Sequence, residues 1–268
     1  MPSISLFAGS VPANYDKYLG PILFEPYALD LVERLKKDKV EHLLELACGT
    51  GRVTKHLVDL IPEEGSLTAT DLNPGMLELA QSKIQSNRIQ WKIANAQDLP
   101  FDDQQFDHIV CQFGAMFFPD KEKSFREAAR VLKEDGKYIF NTWESVEKNP
   151  RIDTMWKVIY EIFGAESPDF FQKGPHSFYD KDEIQRLLLN AGFKNVSIET
   201  VAKTPKYNQP DDLITGFADG SPLSNYLKEK NEEVQAKFRK RLQEELSEQD
   251  KVLANTVPSL ALVVEATK

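Results

Sequence analysis

Thiols and imidazoles are scarce in this chain. Two cysteines, Cys48 and Cys111, and four histidines are spread over 268 residues, too few cysteines for a disulfide framework or a cysteine-rich metal site. The same shortage argues against substrates built on soft metalloids, which want more thiol ligands. Long apolar runs are missing too, and no stretch approaches the ~20 residues of a membrane span. The opening MPSISLFAGSVPANYDKY has no basic start and no sustained apolar core, so it does not read as a signal peptide. Positive charge is in deficit: 33 Lys and Arg against 42 Asp and Glu leave a net charge of −9, which argues against a nucleic acid backbone as the main partner. The one basic cluster, Lys237, Arg239, Lys240 and Arg241, has glutamates on both sides and reads as a solvated helix face. These absences lead us to expect a cytoplasmic protein with no membrane span, no nucleic acid partner and no resident metal.

What is present is an alternation. The chain is long enough for one large domain or a domain with a cap. Between residues 22 and 203 short apolar runs take turns with helical patterns. The runs are LLEL, SLTATD, IQWKIAN, FDHIVCQF, GKYIFNTW and VSIETVA, with SLALVVEAT near the end. Asn73 before Pro74, Asp120, and Asp180 with Glu183 stand where helix N-caps belong, and Gly192 where a helix stops. Seven strands alternating with helices predict an α/β fold, a doubly wound and mostly parallel Rossmann-like sheet. Two segments interrupt it, each beginning where a parallel strand ends, on the side where open α/β sheets bind ligands. The predicted organisation is an N-terminal lid and first helix over 1–36 and a binding core over 37–148. A cap insertion over 149–178 follows, then a core helix and sixth strand over 179–204, a helical cap insertion over 205–258, and a last strand over 259–268.

The first strand runs into LLELACGTGRVT, a glycine turn opening a helix. Such turns present backbone N–H groups to a ligand. A phosphate-binding P-loop needs Gly-Lys-Ser/Thr there, whereas Gly51 is followed by Arg52 and Val53. The dinucleotide fingerprint needs a third glycine, and Thr54 stands in its place. Asp71 follows Gly51 by 20 positions, at the end of the second strand, near the ~20-residue offset of a ribose-binding carboxylate. Glu45 selects among nucleosides. Its carboxylate would repel a pyrophosphate but suits an ammonium or sulfonium group, and S-adenosylmethionine carries both, with ribose hydroxyls and no phosphate.

LELACGTG, TDLNPGMLELA, ANAQDLPFDDQQFD and VLKEDGKYIF, in that order over about residues 40–145, resemble the successive motifs of class I S-adenosylmethionine-dependent methyltransferases. The likeness is to the type 11 methyltransferase domain, the group that includes the ubiquinone/menaquinone C-methyltransferases. The resemblance implies a sheet of seven strands with the last reversed. It also implies that Glu45, Ala47, Gly49 and Gly51 surround the methionine part and that Asp71 binds the ribose. Leu72 and Met76 would then pack on the adenine, Asn95 and Ala96 meet its amino edge, and Gln112 lie beside the sulfonium. Asn95 departs from the aspartate common in the family; it keeps an acceptor and drops the charge.

Other candidates come from position. His176, in KGPHSFY beside the predicted cap, is the candidate general base, because histidine titrates near neutral pH. Tyr15 and Tyr18 are placed to close over the cofactor, where an aromatic face attracts a sulfonium. Phe113, Met116, Phe117, Phe118 and Trp143 follow strand ends and predict an apolar acceptor pocket, with Phe178 added from the cap segment. Phe170, Phe171, Leu213, Ile214 and Phe217 are expected to line or close it. Cys48, Cys111 and His108 read as packing residues. The expected activity is methyl transfer to a small apolar or aromatic acceptor. A nicotinamide-dependent oxidoreductase and a non-catalytic cofactor-binding protein are the rivals. Neither the acceptor nor the oligomeric state is written in the sequence.

Overall fold

The computed structural model describes residues 11–207, 210–253 and 257–268, without the side chains of Phe171, Pro210 and Leu253. Its strands are β1 (His42–Glu45), β2 (Ser66–Asp71), β3 (Ile89–Ile93), β4 (Phe106–Gln112), β5 (Leu132–Trp143), β6 (Asn195–Lys203) and β7 (Ser259–Thr267). They form one sheet in the order β3-β2-β1-β4-β5-β7-β6. β1 to β5 pair in parallel, and β7 runs antiparallel between β5 and β6. Central strands covered on both faces must be apolar along their whole length. Leu43, Leu44, Ile109, Val110 and Cys111 are accordingly all buried.

The expected caps form. Asn73 accepts from the N–H groups of Gly75 and Met76, Asp120 from that of Lys123, and Asp180 from those of Asp182 and Glu183. Gly192 ends its helix at φ +101°. The alternation of β5 decides which side chains can meet. Tyr138 and Phe140 point to Phe125, and Thr142 donates to the Phe178 carbonyl on that same face. Trp143 points the other way, onto Phe24 and Tyr27.

After β5 comes the helix Pro150–Phe163; between β6 and β7 come Pro210–Gly220, Leu223–Lys228 and Glu232–Leu253. The expected 205–258 insertion is described except at 208, 209 and 254–256. Pro150–Phe163 and Pro210–Gly220 both pack on Glu232–Leu253. Buried Arg151 ties the two insertions together, donating to the Val257 carbonyl, to Tyr207 Oη at 3.0 Å and to Asp250 at 2.9 Å. Between the short helix Val11–Asn14 and the helix Glu25–Leu35, Tyr15–Phe24 is a π-helix with Pro21 inside it, and the Glu25 N–H donates to Gly20 O five residues back. Gly216 and Gly220 let this π-helix lie close on Pro210–Gly220. A Cβ on Gly216 would stand 2.5 Å from Leu19 Cδ2, and one on Gly220 2.7 Å from the Tyr15 nitrogen.

Because backbone cannot move aside as a side-chain tip can, Gly220→Ala should overpack this seam by about 1–3 kcal/mol, more than the ~1 kcal/mol of helix propensity it gains. Urea denaturation of the two proteins measures the difference as a lower midpoint for the variant.

Candidate active site

β1 leaves the sheet through a turn that needs left-handed backbone three times. Ala47, Gly49 and Gly51 have φ of +52°, +56° and +80°. Glycine adopts this freely, and an alanine held there is strained. At Gly51 space adds a second demand, since a Cβ would stand 2.7 Å from Ile84 Cδ1. The turn is held by Asp71 at the end of β2. Its Oδ2 accepts from the Gly49 N–H and its Oδ1 from the Asn73 N–H, both at 2.8 Å. Burial pushes the Asp71 carboxyl above its ordinary pKa against these bonds.

Glu45 ends β1 only 1% exposed. Thr54 donates to its Oε2 at 2.6 Å, so the residue that breaks the dinucleotide fingerprint is the one that holds the carboxyl. Burial raises the Glu45 pKa to about 8; the Thr54 bond opposes this and the nearby Asp71 charge adds to it. Among the described residues Glu45 has no cationic partner, and such a buried carboxyl is suited to a cationic ligand. Cys48, in the same turn, is buried, and burial pushes its thiol well above the ordinary range; burial also lifts Cys111 to about 12.

Along the carboxyl edge from the turn, Leu72 is 49% and Ile93 54% exposed, an apolar pair at the ends of adjacent strands. Met76 is buried, Ala96 half-buried and Asn95 exposed. Asn95 Oδ1 already accepts from the Gln97 N–H at 3.0 Å. Gln112 Nε2 donates to the Phe24 carbonyl at 3.0 Å, so this side chain secures the end of the π-helix.

On the other side of the turn lies a cavity walled by Tyr15, Leu19, Phe24, Phe113, Met116, Phe117, Trp143, Phe170, His176 and Phe217, with Asn149, Ser221 and Ser259 among its few polar residues. Phe113 is also left-handed, at φ +49°, and its N–H donates to Asn141 Oδ1 at 2.9 Å. This bend lays its ring on Trp143, centroids 4.0 Å apart and planes within 13°. The next residue, Gly114, backs onto Ala47, where a Cβ would meet the alanine Cβ at 2.5 Å. Cavity and glycine turn are therefore wall to wall.

The structure corrects three expectations. Tyr18 does not face the turn: Tyr15, Leu19 and Leu23 repeat every four residues on the inner side, and Tyr18 falls off that stripe into a surface cleft with Pro21, Ile22 and Tyr207. Phe178 is not in the pocket, because it packs on Phe125 across the sheet from Trp143. His176 lines the cavity, but burial lowers its pKa to about 4, against the opposing bond from its Nδ1 to the Glu144 carbonyl at 2.6 Å. Its imidazole is therefore a weaker base than an ordinary histidine. Leu213 and Ile214 are buried without being among the cavity's walls, and the Phe171 side chain lies outside the described residues. Thr54, Asp16 and Arg52 were not expected in the site; Thr54 was legible only as a missing glycine.

The strand order with its reversed β7, and a glycine turn between a buried glutamate and an aspartate ending β2, are those of a class I S-adenosylmethionine-dependent methyltransferase. The comparisons agree. A family model described as a methyltransferase domain matches residues 44–140. The demethylmenaquinone methyltransferase of Lactobacillus johnsonii is 33% identical over 180 residues, 62% of this chain and 73% of that protein. That of Staphylococcus carnosus is 28% identical over 208 residues, 71% and 85% of the two chains. In fold, phosphoethanolamine N-methyltransferase 2 of Haemonchus contortus, solved with S-adenosyl-L-methionine, superposes with a TM-score of 0.65 at 13% identity, covering 100% of this chain and 60% of its own. The YcgJ protein of Bacillus subtilis superposes at 0.59 and 18%, covering 91% and 98%. This chain belongs to the methyltransferase domain family and is an S-adenosylmethionine-dependent enzyme. The match supports neither the oxidoreductase nor the non-catalytic reading.

The Glu45 pKa yields a test in the ligand-free protein. Its folded value, about 8, lies above the ordinary 4.5, so the folded chain holds the proton more tightly. The stability it contributes is full below about pH 4.5 and is lost as pH rises toward 8. Glu45→Gln removes that loss, so the variant's melting temperature should gain on the wild type's between pH 6 and 9. A constant difference across that range would show that Glu45 is ionised throughout.

Proposed function

We propose that the chain methylates a small aromatic acceptor seated against the Phe113–Trp143 stack, with the cofactor held by the glycine turn. The observation that carries this reading is the contact of Gly114 with Ala47, which makes the two sites neighbours. The turn suits the cofactor. Gly49 and Gly51 admit close approach to the backbone, Glu45 offers a buried carboxyl to the methionine ammonium, and Asp71 retains lone pairs for the ribose hydroxyls. Leu72, Met76, Asn95 and Ala96 border the place for adenine, and Gln112 keeps the π-helix end in position beside it. When bound, S-adenosylmethionine supplies a methyl group already activated by its sulfonium. The protein's share is to orient the acceptor and keep the pocket dry, effects that together contribute up to ~7–11 kcal/mol in favourable cases.

The proton that a hydroquinone or aromatic acceptor gives up on methylation passes to water. No strong base is required of the chain, and His176, its pKa lowered to about 4, is not one. With Nδ1–H committed to the Glu144 carbonyl, its remaining ring nitrogen is an acceptor for an acceptor-molecule hydroxyl, an orienting role. The insertions 149–178 and 205–258 act as the acceptor-side cap, contributing Phe170, His176 and Phe217 to the walls. The relatives are named for demethylmenaquinone, and a reduced naphthoquinone, planar and apolar, fits the same walls. It is the first acceptor to assay, with methyl-labelled cofactor. Transfer to polar amines, with none to aromatic rings, would overturn the acceptor class.

Two measurements test the cofactor assignment. S-adenosylmethionine at about a hundredfold over its Kd should stabilise the fold by about 2.7 kcal/mol, with no comparable effect of NAD. Asp71→Asn should weaken binding of the demethylated product at least tenfold by calorimetry, since hydrogen bonds to a charged acceptor are worth about 1.5–3 kcal/mol. An unchanged Kd would remove Asp71 from the ribose site.

A further inference from the structure

Asp16 follows Tyr15 in the π-helix, and its carboxylate is the meeting point of three elements. Oδ1 accepts from Thr50 Oγ1 at 2.7 Å, from the Arg52 guanidinium at 2.9 Å and from Lys83 Nζ at 2.7 Å. Arg52 also donates to the Asp16 main-chain carbonyl at 2.8 Å. Thr50 and Arg52 flank Gly51 in the glycine turn, and Lys83 ends the helix Pro74–Lys83 that follows Asp71. Burial pushes the Asp16 pKa up, and the Lys83 and Thr50 hydrogen bonds with the Lys83 and Arg52 charges outweigh it, so the carboxyl lies below its ordinary value. The group is a carboxylate whenever the protein works.

The same segment has a second attachment and a second face. Glu25, just past its end, is held by Arg52 at 3.0 Å, Lys55 at 2.9 Å and His56 at 2.7 Å, which fixes that end to the core. Its inner face carries Tyr15, packed against Phe24 with centroids 4.8 Å apart and planes tilted by 34°, into the wall of the acceptor cavity. One carboxylate therefore clasps to the cofactor side a segment that roofs the acceptor side.

We propose that Asp16 is a positioning residue that latches the N-terminal segment across both halves of the site. Cofactor or product leaves only after Asp16 parts from Thr50, Arg52 and Lys83, and the acceptor pocket is complete only while the latch holds. The inference rests on the cofactor placement given above. Asp16 touches no reacting atom in this scheme; it acts through the roof and through Tyr15.

The test is the dissociation rate of S-adenosylhomocysteine from the full chain, followed by stopped-flow fluorescence during displacement by excess S-adenosylmethionine. Asp16→Ala should release it at least tenfold faster and raise the KM for the acceptor. Lys83→Ala removes a single partner and should accelerate release a few-fold, and the double variant should be no faster than Asp16→Ala, as expected of groups in one network. Ionic strength separates a latch from a packing effect. Raising salt from ~50 to ~500 mM screens the exposed part of the clasp, so release from the wild type should quicken while release from Asp16→Ala stays constant. Equal release rates for wild type and Asp16→Ala, or equal salt dependence in both, would overturn the latch. No binding of S-adenosylhomocysteine by the wild type would instead overturn the cofactor placement beneath it, and the latch with it.

Discussion

Where β1 and β4 leave the sheet side by side, there is room for only one of them to carry a side chain, and Gly114 yields to Ala47. Both chains bend left-handed there without glycine, at Ala47 and Phe113, a conformation that costs about 1–3 kcal/mol each when held by the surroundings. Asn141 holds the second bend from β5, and the Trp143 ring completes it. Everything functional depends on this junction. One bend releases the glycine turn toward β2, the other throws an aromatic ring toward the cap, and the wall between them is one backbone thick. A larger residue at 114 would part the two sites before it disturbed either.

How much of this was legible depends on the range of the interaction. Caps at Asn73, Asp120 and Asp180 act within three residues, so sequence displays them. The central strands were legible too, because buried parallel strands must be apolar throughout, and the reversed last strand followed from the family resemblance, whereas their order in the sheet rests on long-range pairing. Asp71 was found by spacing from Gly51. Tyr18 was misplaced because the face it presents is fixed by contact with Gly216 and Gly220, some 200 residues away in the chain. Phe178 was misplaced because its position depends on which face of β5 it meets, and parity is invisible where a strand is buried on both faces, as β5 is from Tyr138 to Trp143. Thr54 illustrates a third difficulty. A motif defined by glycines registers a threonine as a loss, whereas its hydroxyl is what makes a buried Glu45 tolerable.

The two insertions behave as one unit although β6 separates them. Arg151, from the first, reaches a carbonyl and two side chains of the second, and a buried guanidinium is costly unless its donors are met. That requirement fixes how Pro150–Phe163 sits relative to the strand entering the sheet as β7. The aromatic walls they supply are therefore set in place by a polar anchor that does not itself line the pocket.

Cys48 lies in the turn proposed above to hold the methyl donor, and Cys111 ends against the same junction. An electrophilic methyl group seeks the strongest nucleophile within reach, and a thiolate is the strongest that proteins ordinarily carry. Burial removes that hazard by favouring the protonated thiols, raising Cys48 well above its ordinary value and Cys111 to about 12. The packing that makes these cysteines unremarkable as core residues also protects the enzyme from alkylating itself.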